Sequence, residues 1–236
     1  MVIGSLWIRA AHCTQVSDEI ERLKQQAGER HEIKWNATTK KTLPMYGQIV
    51  ELTCGLRGVR YRAIIVDQHI LNHRLYNEGD PEMGFYKFYF QLLYQEITCR
   101  YQHFMLEERY LIHPDERSDR QGERVQALRD CLNQSCRTRL EMRYDPVSSI
   151  DPFSSREHAL MQMTDLWTGA IAASKNRSIT ATVKQSLLRL MEAKWGRPPQ
   201  SLHLPSRAGK KAWFNVWMWK PSALSRTRER PAQGTK

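Results

Sequence analysis

The stretch that most constrains this chain is Ser155–Ser174, SREHALMQMTDLWTGAIAAS. From Ala159 to Ser174 it is apolar or small-residue throughout, contains no proline, and carries a single charge, Asp165. At 100° per residue Leu160, Met163, Trp167, Ala170 and Ile171 fall on one side, which predicts a helix packed on a core. Asp165 falls on the other side among Gln162, Thr168, Gly169 and Ala172, all short or uncharged enough to let a bulky or charged group approach. A carboxylate on so apolar a helix must find a partner or shift its pKa. Two readings stay open: an acid at a solvated gap or paired with one arginine, and an acid that binds a metal.

The flanking pattern predicts strands at Val2–Ile8, Gly58–Val66, Arg109–His113 and Arg137–Tyr144, and a late strand within the Trp-rich Ala212–Trp219. It predicts helices at Val16–Gln26, Thr42–Thr53, Phe85–Arg100, Gly122–Asn133 and Thr180–Lys194, with Ser154 or Ser155 capping the central one. Apart from an insertion at about 10–56, strands and helices alternate, which predicts a mixed α/β layer arrangement in one domain over residues 1–220. The segment 180–220 adds a helix and the Trp-rich strand, and 221–236 has the composition of a basic disordered tail.

Composition narrows the function classes. With 41% hydrophobic and 26% charged residues the chain is of ordinary globular type. No apolar run reaches the ~20 residues of a membrane span, and the N-terminus lacks the pattern of a secretory signal, so a cytoplasmic location is expected with no membrane partner. The five cysteines form neither a CxxC pair nor a zinc pattern, so reduced thiols are expected. GxGxxG, GxxxxGK[ST] and GxSxG are all absent. The net charge of +11 is uneven: residues 175–236 hold 14 Lys/Arg and 2 Asp/Glu, against 22 and 23 in the first 174. A nearly neutral body with a basic C-terminal quarter favours a polyanionic partner, nucleic acid first, or simple solubilisation.

Three segments together, EIKW (Glu32–Trp35), GDPEMGFYKFYFQLL (Gly79–Leu93) and SREHALMQMTDLWTGA (Ser155–Ala170), resemble the bacterial and phage family called domain of unknown function 3800. The resemblance covers roughly residues 1–175. It implies an RNase H-like fold, with acids converging from the first strand, the fourth strand and the last helix, and a nuclease activity dependent on Mg²⁺ or Mn²⁺. Carried onto this sequence, it assigns Glu32, Asp115 and Asp165 as catalytic metal ligands, and Lys34, Lys87 and Gln162 as substrate-binding residues. Hard carboxylate oxygens suit such ions, and Lys34 and Lys87 could hold phosphate oxygens as point charges. Each residue also has a plainer reading. Glu32 and Lys34 could form a surface ion pair, Asp115 could be a turn acid after Pro114, and Lys87 could snorkel from a core helix. The FYKFYF run could be simple packing.

One departure from the family bears on all of this. Its members begin with a strand carrying Tyr-x-Asp-Glu-Ser-Gly, whose Asp is a metal ligand, and nothing here matches it. The chain opens at Met1 on the element that resembles the second strand. The expectation is a misplaced start or a shortened gene copy, and a mixed sheet lacking its central first strand. Strands on either side would then lose a ladder partner. Three functions follow as expectations: a metal-dependent nuclease, active or impaired; a non-catalytic nucleic-acid-binding protein; and an assembly protein whose sheet is completed in an oligomer or by a partner chain.

Overall fold

The computed structural model describes residues 1–56, 58–71, 79–116, 121–177, 179–198, 200–205 and 213–220. Among them the fold is mixed α/β. Its elements are β1 (Val2–Trp7), α1 (Ala10–Gln26), α2 (Leu43–Gly55), β2 (Arg60–Ile65), α3 (Pro81–Phe104), β3 (Tyr110–Ile112), α4 (Gln121–Leu140), β4 (Val147–Ile150), α5 (Ala159–Asn176), α6 (Thr182–Lys194) and β5 (Phe214–Met218).

Strand β2 is the axis of the larger sheet. It pairs antiparallel with β1, Val2 opposite Ile65 and Trp7 opposite Arg60, and parallel with β5, Tyr61 opposite Phe214. All six of its residues are buried, so both faces of the sheet are covered. The alternation of side chains separates two layers. Tyr61, Ala63 and Ile65 join α5, α2 and α6 in the main core, around the fully buried Trp167 and Ile49. Ile64 and Val66 face α3 and meet Phe88 and Leu92. Arg60 and Arg62, on that same face, both bind Glu96 of α3, at 2.8 and 2.5 Å, and all three are buried.

A second ladder stands apart: β3 and β4 pair in parallel, with a bulge between Tyr110 and Leu111. Among the described residues no ladder joins β1 to β3. The edge-to-face contact of Trp7 with Tyr110, at 5.5 Å between ring centroids, brings the two pieces together instead.

The structure corrects several expected boundaries. The strand predicted at Arg137–Tyr144 is the end of α4 and the turn after it. Val125, Leu128, Leu132 and Cys136 keep helical spacing into one core, and Arg137 and Arg139 suit a helix C-terminus. The chain returns as a strand only at Val147, where the Asn133 amide donates to the Val147 carbonyl (3.0 Å) and accepts from its N–H (2.9 Å). Helix α1 begins at Ala10, well before the expected start at Val16. Helix α5 begins at Ala159, with His158 at the N-cap and no side-chain cap, so neither Ser154 nor Ser155 caps it. On α5 Met163, Trp167, Ala170 and Ile171 are buried as expected, Leu166 joins them, and Leu160 is only half-buried. The expected tail at 221–236 lies outside the described residues. All five cysteines are free. Among the described residues no helix is long and apolar enough to cross a membrane.

Candidate functional site

The segment Glu32–Trp35 docks on the polar side of α5 residue by residue. The Gln162 side chain accepts from the Ile33 N–H at 3.0 Å, and its amide donates to the carbonyls of Ser155 (3.0 Å) and Arg156 (3.1 Å). Gln162 is buried, so its donors and acceptor are all used. One turn on, Asp165 faces Lys34, whose positive charge acts on it. One turn further, Gly169 lies so close to Trp35 that a Cβ there would overlap the Trp35 Cβ. Positions 162, 165 and 169 share one helix face at steps of three and four, so each reads one residue of an extended segment. Thr168, beside them, donates to the Thr164 carbonyl and bonds the Tyr61 hydroxyl at 2.8 Å, over the space left by Gly4.

Asp115 arrives from the other ladder. Beyond β3 it forms a parallel bridge with Phe153, flanked by Phe153 N–H to Pro114 carbonyl (3.0 Å) and Glu116 N–H to Phe153 carbonyl (2.9 Å). Its carboxylate accepts from the Ser155 N–H at 3.2 Å. Ser155 therefore spends its N–H on Asp115 and its carbonyl on Gln162, which explains why α5 starts later than the sequence suggests. Phe153 itself is stacked between the rings of His113 (4.1 Å) and His158 (4.3 Å).

Electrostatics tie the three acids into one neighbourhood. The Asp165 carboxyl is pushed above its ordinary value, first by partial desolvation and then by the charges of Glu32 and Asp115, while Lys34 pulls it down. Its side chain still opens to water on one side, where Lys34, Lys184, Asn36 and Asn176 line a pocket of about 350 Å³ with it. Glu32 behaves differently. Burial pushes it up, but the Lys34 ammonium at 2.9 Å and the Ser155 hydroxyl outweigh burial and hold it below its usual value. The other Glu32 oxygen, Oε1, is buried without a hydrogen-bond partner.

Of the six residues singled out in the sequence, the structure gathers Glu32, Lys34, Asp115, Asp165 and Gln162. Lys87 is exposed on α3, which packs on the opposite face of the sheet. Glu32 and Lys34 do form the plain ion pair, and Gln162 braces backbone. Ser155, Arg156 and Lys184 were not foreseen. Arg156 acts on Glu32 through its charge, and the Lys184 ammonium lies 5.9 Å over the Trp35 ring. The two arginine- and serine-bearing neighbours sit inside the quoted motif, but only the fold shows which backbone atoms they use.

Among the described residues no group of three His, Cys, Asp or Glu side chains is drawn together closely enough to hold a metal ion. The donor set is nonetheless of the right chemistry for a hard cation: carboxylates, with one buried Glu32 oxygen lacking a donor. Comparison with protein-family profiles, with curated proteins and with solved structures gives no match for this chain.

Proposed function

We propose that the chain is a nuclease-like phosphodiester hydrolase, with the Glu32–Asp115–Asp165 neighbourhood as its site and Mg²⁺ or Mn²⁺ as its cofactor. The observation that carries this reading is the convergence of charge from Glu32 and Asp115, on two other segments, at the Asp165 carboxylate of α5, with one Glu32 oxygen buried and unpartnered. Acids so placed repel one another, and a divalent cation relieves that repulsion. Glu32, Asp115 and Asp165 would hold the ion, which when bound supplies charge to polarise a phosphoryl oxygen and to acidify a water. Lys34 keeps Glu32 ionised, and on release from it is placed to meet a phosphate oxygen. Gln162 fixes the backbone at Ile33 so that Glu32 and Lys34 keep their position. The RNase H-like topology, the kinship with domain of unknown function 3800 and the nucleic-acid partner belong to the same proposal.

The test is cleavage of labelled single- and double-stranded DNA and RNA in Mg²⁺ or Mn²⁺. Activity should vanish with chelator and fall at least ~100-fold in Asp165→Asn, a change that keeps shape but loses charge. Activity that survives both would place the chemistry elsewhere.

A second reading has its own observation. The β-structure is in two ladders, and β1 and β3 are not joined among the described residues. An extended strand from a second chain could pair with such edges, which makes an assembly role the rival. A stable oligomer lacking nuclease activity would favour it.

A further inference from the structure

On the opposite face of the sheet, α3 and α4 leave between them an open groove of about 870 Å³. Its size lies at the upper end of ordinary ligand sites. One wall carries Tyr86, Phe90 and Tyr94, a row at i, i+4 and i+8 on α3. Phe90 and Tyr94 are already stacked, with centroids 5.4 Å apart and planes 10° from parallel. A second row runs beside it one residue on: Lys87, Gln91 and Gln95. Helix α4 adds Arg124, Leu128 and Arg139 from the far side.

The charged groups along this groove are three cations, Lys87, Arg124 and Arg139, and one acid, while the amides of Gln91 and Gln95 both donate and accept. Asp80 is the acidic residue in the lining, and it is committed: it caps α3 through the Glu82 and Met83 N–H groups and binds Arg124 at 3.0 Å. Arg139 and Lys87 are exposed, and the described residues offer Arg139 no carboxylate. A groove of flat rings flanked by amides and cations suits a ligand with π-faces and regularly spaced anionic groups. An amphipathic partner helix would ask instead for aliphatic walls, which Met83 and Leu128 supply only in part. A duplex keeps its base faces stacked on one another and unavailable to Phe90.

We propose that this groove binds single-stranded nucleic acid, its bases stacking along Tyr86, Phe90 and Tyr94 and its phosphates meeting Lys87 and Arg139. Stacking of this kind tolerates any base, because every base has a π-face. The site is separate from the acid neighbourhood and does not depend on hydrolysis there.

The test uses the full chain in chelator, so that cleavage cannot interfere, with labelled (dT)12 followed by anisotropy and with a duplex of equal length as competitor. The expected results are binding that the duplex displaces poorly, and a loss of about tenfold in Phe90→Leu, the order of one lost stacking contact. Arg139→Gln should weaken binding and flatten its salt dependence. Photocrosslinking should mark the peptide that spans Tyr86–Tyr94. Circular dichroism and melting of Phe90→Leu should match the parent, since the ring is half-exposed. No binding of (dT)12, equal affinity in Phe90→Leu and Arg139→Gln, or crosslinks confined to the basic C-terminal quarter would each overturn the proposal. Loss of cleavage with binding intact would leave it standing and count against the hydrolase reading alone.

Discussion

The two faces of strand β2 handle charge in opposite ways. Toward α3, Arg60 and Arg62 close on Glu96, and all three side chains leave water together. Burial lowers the Arg62 pKa while Glu96 pulls it back up. That cluster is complete, and a complete buried cluster specifies packing. Toward α5 the sheet is apolar, and the charges gather beyond it, where Lys34 pairs with Glu32 and acts on Asp165, Arg156 acts on Glu32, and Asp115 lies near them. That neighbourhood is not closed off: one Glu32 oxygen is buried without a hydrogen-bond partner, and the Asp165 side chain remains open to water. The contrast teaches that the first cluster serves stability and the second is available for a ligand.

The largest effect should come from breaking the complete cluster. Glu96→Ala strands two buried guanidinium groups and should cost about 3–5 kcal/mol, visible as a lower urea midpoint at unchanged slope. A loss under ~1 kcal/mol would show that the arginines find water, and the contrast between the faces would fail.

Next in size is Gly169→Ala. The added methyl must push Trp35 away from α5, an overpacking that costs about 1–3 kcal/mol. Because Lys34 and Glu32 move with Trp35, the same variant should lose cleavage while Gly47→Ala, whose Cβ would crowd only the Leu190 side-chain end at 3.3 Å and need a small shift of it, should keep it. Equal activity in both would mean that the interlock of α5 with Glu32–Trp35 does not position the site.

The smallest effect is in the acid limb of stability. Glu32 has its folded pKa below the ordinary ~4.3, so its contribution is present above that pH and is lost as pH falls through the folded value. Asp165 has its folded pKa above the ordinary ~3.9, so stability falls as pH rises from there through the raised value. Glu32→Gln should therefore lose stability at neutral pH, and Asp165→Asn should gain it. The gain should stay below ~0.5 kcal/mol because water reaches Asp165 and screens it. Chemical denaturation at pH 3–7 reads both signs, and a loss in Asp165→Asn would contradict the repulsion inferred among the acids.

How much of this was legible in the sequence differs by residue. The β-branched run Ile64–Val66 announces β2, and the apolar spacing of Met163, Trp167 and Ile171 announces the buried face of α5, because local pattern alone decides such elements. The helical period also points to Gln162, Asp165 and Gly169 as one face, though not to what each touches. The end of α4 escapes the sequence, because Arg139–Met142 alternates like a strand while Leu132 and Cys136 hold the preceding turns in a core that only tertiary packing reveals. The place of Ser155 was hidden for a similar reason. Its N–H donates to the Asp115 carboxylate 40 residues away and its carbonyl accepts from the Gln162 side-chain amide 7 residues on, and such bonds leave no trace in local pattern. The aromatic groove was legible as composition in FYKFYF, but its facing wall on α4 was not.

The most direct measurement of the central claim is calorimetric titration of Mn²⁺ into the full chain and into Asp165→Asn at neutral pH. If the three carboxylates form one cation site, the parent shows saturable binding that releases heat or protons, and the variant binds at least ~10-fold more weakly. Identical isotherms for the two proteins, or no Mn²⁺ binding to either at millimolar ion, would contradict it.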